Sequence, residues 1–158
     1  VLATYEKTGQ ISNVEALAFH RDLLARAQPG EIDRRVVARM QAASASLAID
    51  YLATLAARQR LVAATRAEWG ASLIAMPTLP LVAPLIAPLE ADDDLFRKVN
   101  LLTLRNTMLG NFLDVCGLSL PMGRDSQGLP AGFMLCAASG NDDHLLAAGH
   151  NIAAAVAA

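Results

Sequence analysis

Aromatic side chains are scarce in this 158-residue chain: four Phe, two Tyr and one Trp, or 4% of residues. Its 13 Lys and Arg are dispersed among 15 Asp and Glu, giving a net charge of −2. A nucleic-acid binder needs rings for stacking and a basic stripe for phosphates, and neither is present. Long apolar runs are also missing. The longest, Leu81 to Leu89 and Ala153 to Ala158, fall well short of the roughly 20 residues that span a bilayer, and Pro84 and Pro88 interrupt the first. No membrane span is expected. The opening VLATYEKTGQ lacks an apolar segment behind a basic start, so it does not read as a secretory signal. Cysteine is limited to Cys116 and Cys136, which make no disulfide framework. In apolar surroundings they read as free, buried thiols in a reducing cytoplasm. His20, His144 and His150 are too few for a convincing zinc site, and the last two, six apart, fall on different faces of a helix. No metal or other cofactor is expected.

Catalytic signatures are lacking as well. There is no G-x-S-x-G turn and no phosphate-binding glycine loop. Ser44, Ser46, Ser72, Ser119, Ser126 and Ser139 offer hydroxyls, but none lies in a glycine-rich turn next to a lysine or histidine. The only lysines are Lys7 and Lys98. A serine nucleophile needs a base beside it, so no catalytic residue is assigned. Asp92, Asp93 and Asp94 lack the alternating spacing, glycine and glutamate of a calcium loop. They read instead as carboxylates at a helix N-terminus, where the dipole favours them.

What is abundant is apolar side chain, 54% of residues. Such a share fits strands buried on both faces, a surface buried against a partner, or both. Asn13 is a plausible N-cap for a helix carrying Leu17, Leu23 and Leu24, ended by Pro29 and Gly30. A second helix should open near Asp33 and pass through Val36, Val37 and Met40. A third, from Ser44 or Ala45 to Trp69, aligns Leu47, Tyr51, Leu55, Leu61 and Val62 as the stripe of an amphipathic surface helix, with Asp50, Arg58, Arg60, Arg66 and Glu68 at polar positions. Gly70 stops it, and Ser72 to Met76 reads as a short buried strand ended by Pro77. Four prolines between Pro77 and Pro88 favour an extended, irregular path pressed against protein. A helix or broken helix from Leu95 to about Val115 precedes a strand Gly117 to Leu120, a ten-residue connection Pro121 to Pro130, and a strand Ala131 to Ala138. Asn141 or Asp142 caps a last helix running toward Ala158. Strands interleaved with helices give an α/β class in one unit, with residues 1–70 mainly helical and 71–158 carrying the strands.

Five segments in order carry a resemblance. SLIAMPTLPLVAP from Ser72, Thr107 and Asn111 four apart, GLSLPMG, GLPAGFML and DDHLL together resemble the C-terminal portion of the amidase signature family. Asp50, Tyr51 and Arg60 on the long helix resemble the same pattern upstream. The resemblance implies part of an α/β/α sandwich around a mixed sheet. It also implies amide hydrolysis, or ammonia release from glutamine, by a Ser, cis-Ser, Lys triad with an oxyanion loop, all upstream of the matched region. This chain has no G-G-S-S-G-G-like segment. Met134 stands where many relatives carry Gln, and Thr103 to Asn106 holds no carboxylate for a substrate ammonium. That disfavours an amidotransferase A-type subunit and favours a general or carboxylate-bearing amide, with Arg105 as an anion contact. Thr107 and Asn111 are the other substrate-binding candidates, weighed against simple bonding to backbone groups.

Three readings follow. The chain is the C-terminal structural part of an amidase, completed by an N-terminal catalytic part of the same or another chain, through which a small amide is bound. Alternatively it is an interaction or scaffold module of amidase-like architecture, with a homo-oligomer as one outcome. A small autonomous enzyme ranks last, since no nucleophile and base stand together.

Overall fold

The computed structural model describes residues 1–156, and the chain divides into two compact units, Val1–Arg60 and Leu61–Ala158. The first contains α1 (Leu2–Thr8), α2 (Ile11–Phe19), α3 (Arg21–Arg26), α4 (Arg34–Ala42), a 3₁₀ turn (Ala43–Ala45) and the start of α5 (Ala48–Trp69). Helix α1 was not expected. It ends at Gly9, whose φ of 80° few other residues adopt and whose N–H reaches the Tyr5 carbonyl at 2.9 Å. The N-cap of α2 is Gln10, which corrects the assignment to Asn13. Asn13 lies inside the helix, its Nδ2 donating to Gln10 Oε1 at 3.4 Å. At His20 the backbone leaves the helical path, so the expected helix is two, α2 and α3. Neither glycine nor proline marks that break.

Helix α4 opens where its cap predicts: Asp33 accepts from the Arg35 amide at 2.8 Å, and the Arg35 guanidinium grips the same carboxylate at 3.0 and 2.6 Å. Helix α5 starts only at Ala48, because the 3₁₀ turn takes up the residues before it. Within this unit Thr54 is fully buried, donating to Thr8 Oγ1, which itself donates to the Thr4 carbonyl at 2.9 Å. Tyr51 adds a bond to Glu15 at 3.1 Å. The stripe predicted for α5 is only half-buried at Tyr51, Leu55, Leu61 and Val62, and Leu47 is exposed. The opposite side carries Ile49, Leu52, Ala53 and Ala56, also exposed. The helix is therefore apolar on two sides rather than amphipathic, which corrects the expectation; such helices belong in interiors.

The second unit continues with β1 (Ile74–Pro77), α6 (Ile86–Ala91), α7 (Asp93–Leu113), β2 (Cys116–Arg124), β3 (Pro130–Ala137) and α8 (Asp142–Val156). The α/β class holds. The strands form one sheet in the order β1-β3-β2, each pair antiparallel. Directly opposed residues share a face. One face therefore carries Leu118 opposite Leu135, Leu120 opposite Phe133 and Cys116 opposite Ala137. Helix α8 packs on β2 and β3. Leu145 joins Leu135 and Ala137 in the core, with Leu73 and Ile152 packed against them. Gly149 permits the close approach, since a Cβ there would run into Leu118 Cδ2. The other face carries Ile74, Gly117 and Cys136 in one row and Met76, Ser119 and Met134 in the next.

Several boundaries differ from the sequence reading. The irregular proline path stops at Leu85, and Pro88 lies in the first turn of α6, where its missing N–H costs nothing. Strand β2 runs on through Pro121 to Arg124, replacing the first four residues of the expected connection. It is an edge strand, so a proline without a donor is tolerated, and a register shift between Pro121 and Arg124 absorbs the strain. The remaining turn is closed by Asp125, whose Oδ1 accepts from the Gln127 and Leu129 amides at 2.9 and 2.8 Å. Asp92 caps α7 through the Asp94 and Leu95 amides, both at 2.9 Å. Asp114 ends it in the left-handed conformation, φ 57°. The last helix begins at Asp142 just after Asn141, as expected; its predicted final residues, 157 and 158, lie outside the described residues.

Candidate functional site

Helix α7 carries all three residues singled out for substrate contact. Thr107 and Asn111 are one turn apart and about 40° round the helix from each other, whereas Arg105 is about 200° from Thr107, on another side. The three do not converge. Arg105 is exposed, and its guanidinium has no hydrogen bond or ion pair among the described residues. Thr107 Oγ1 donates to the Leu104 carbonyl at 3.1 Å. Asn111 is exposed near the C-terminal end of the helix.

The neighbour of Arg105 has the more informative geometry. Asn106 Nδ2 donates to the Pro77 carbonyl at 2.8 Å, tying α7 to the end of β1. The next residue, Thr78, is held from two other segments. Its amide donates to the Gly132 carbonyl at 2.9 Å, and its Oγ1 lies 2.6 Å from Ser119 Oγ. Gly132 is required here. A Cβ at that position would lie 2.7 Å from Thr78 Oγ1 and 3.1 Å from both Thr78 Cβ and Ser119 Oγ. Asn106, Thr78 and Ser119 were not anticipated as a group, because 28 or more residues separate Thr78 from each of the others and no local pattern links them.

The remaining chemistry-bearing groups are dispersed. Among the described residues no serine hydroxyl is hydrogen-bonded to a lysine or histidine; Ser139 instead accepts from Arg66 at 3.0 Å. Arg66 also approaches Asp114 at 3.9 Å, so one guanidinium links α5, the end of α7 and the turn before α8. His144 and His150 are exposed on α8. No three His, Cys, Asp or Glu side chains among the described residues come together as metal ligands. Cys116 and Cys136 are free thiols on opposite sheet faces, and burial pushes the Cys136 thiol above its ordinary range. No described helix is long and apolar enough to cross a membrane.

A three-stranded antiparallel sheet backed by α8, with α7 pinned to its first strand, defines an α/β protein. Residues 3–146 match the family model described as Amidase, and the chain belongs to the amidase family. Its fold is similar to solved structures of a 6-aminohexanoate cyclic dimer hydrolase. The substrate-complexed form superimposes with a TM-score of 0.67 at 21% identity, over 90% of this chain and 32% of that one. A second structure of that hydrolase gives 0.63 at 21% identity, over 87% and 31%. The chain thus spans about a third of the length of the solved structures it matches. None of the curated proteins matches it.

Proposed function

We propose that this chain is the C-terminal structural part of an amidase-signature hydrolase that cleaves carbon-nitrogen amide bonds, with the Ser, cis-Ser, Lys triad supplied by an N-terminal part of the same or another chain. The observation that carries the reading is the amidase match over residues 3–146 in a chain where no described serine hydroxyl meets a lysine or histidine. A triad without that contact cannot activate its nucleophile. The surface supports the same view. Phe19, Ile49, Leu85 and Ile86 are 85%, 71%, 80% and 72% exposed, large apolar side chains that a covering partner would bury. An N-terminal catalytic part is the partner that would cover them, in the cytoplasm. Arg105, Thr107 and Asn111 remain the substrate-side candidates, Arg105 for a carboxylate-bearing amide. The test is hydrolysis of an anilide by the isolated chain and by a longer protein that includes it: turnover only by the longer protein supports the reading, and turnover by the isolated chain overturns it.

A further inference from the structure

The sheet face opposite α8 has a polar notch in an otherwise apolar surface. Met76, Met134 and Ser119 lie in one row across the three strands, and Thr78, Gly132 and Pro121 in the next. Ser119 and Pro121 are exposed, Thr78 and Met76 half-buried, and Met134 is covered. The two hydroxyls, 2.6 Å apart, occupy the space left by the absent Gly132 side chain. Two O–H groups joined by one hydrogen bond use one of their two protons. Among the described residues the second proton has no protein acceptor, and lone pairs on both oxygens also remain. The pair is fixed in place, because the Thr78 amide is bonded to Gly132 and the preceding Pro77 carbonyl to Asn106. A ligand meeting this patch would find one prearranged neutral donor and acceptor beside the half-buried Met76 and the exposed Pro121.

We propose that the Thr78–Ser119 hydroxyl pair is a binding subsite for the uncharged amide group of a small substrate, its carbonyl accepting the spare hydroxyl proton and its N–H donating to the other oxygen. The inference rests on the amidase reading for its choice of ligand class. Chemistry on the page selects the neutral form: none of the six residues is charged, so they offer a carboxylate no counterion.

The test is a titration of the full chain, with isotopically labelled Met and Thr methyl groups, against benzamide and separately benzoate. Benzamide is expected to shift the Met76, Thr78 and Met134 methyl resonances saturably, and benzoate to bind more weakly. Loss of one neutral hydrogen bond weakens binding by roughly 2- to 10-fold. Thr78→Val and Ser119→Ala should each show that loss, and Thr78→Ser should restore it. Ser119→Ala removes a hydroxyl from an exposed position and stands alone if Thr78→Val fails to fold. No saturable shift, equal binding of benzoate, or undiminished binding in Ser119→Ala overturns the subsite. Anilide turnover is read independently, so a failed titration with turnover confined to the longer protein removes only this proposal.

Discussion

Gly132 shows how a single missing methyl group can be structural. A Cβ there meets the Thr78 β-carbon and two hydroxyls, that of Thr78 just past β1 and that of Ser119 on β2, none of which is the free end of a long side chain. Gly132→Ala is therefore expected to destabilise the chain by about 1 to 3 kcal/mol, the usual cost of overpacking. Gly149→Ala makes the sharper-looking clash, but with the movable tip of Leu118, and it gains about 1 kcal/mol of helix propensity. It should cost less. Urea denaturation midpoints of the two variants check the order, and a larger loss for Gly149→Ala would refute the packing argument. Asp33 gives a pH prediction. Its hydrogen bonds with the Arg35 side chain and backbone hold its carboxyl well below the usual carboxylate range. Since the folded value is the lower one, the contribution to stability is complete above the unfolded value near 3.9 and is lost as pH falls from there through the folded value. A carbon-detected titration should place Asp33 below ordinary aspartates and move it part of the way back in Arg35→Ala, which keeps the backbone bond; an ordinary midpoint in both proteins would contradict the pairing. Asp33 was legible because its role is local. Thr78, Ser119 and Gly132 were not, because their meeting depends on strand register across 41 and 54 residues.

At the scale of elements, the sequence was most informative where a side chain acts on its own neighbours. Asp92 was placed at a helix start and does cap α7 through two amides. Asp92→Ala should lower stability by about 1 kcal/mol, read as a shift in thermal midpoint; no shift would mean that the cap is dispensable. The start of α4 and the extent of β3 were legible for similar local reasons. Strand β2 was cut short at Pro121 because proline opposes strand pairing in general, and only the sheet order reveals an edge where it is harmless. Pro88 misled in the same way, since proline excludes a helix interior but not a first turn. The break at His20 has no sequence mark at all. On α7, spacing alone correctly put Thr107 near Asn111, and helix geometry separates Arg105 from both.

At the scale of the whole molecule, the described residues include eight buried hydrophobics and fifteen large exposed ones, so much of the apolar content works outside this core. In the first unit Met40 is the one buried hydrophobic among the described residues. A chain so exposed should associate with itself when isolated, and sedimentation should show a mass that rises with concentration. A cooperative, strictly monomeric species would count against a need for covering surface. The family was legible from five ordered segments, whereas the identity of the amide was not.

We propose that this amidase-family chain takes its nucleophile from a part outside it. Reaction of the isolated chain with a serine-directed fluorophosphonate, followed by intact mass, tests it most directly. The account predicts an unmodified mass. A stoichiometric adduct on any serine of this chain would contradict it.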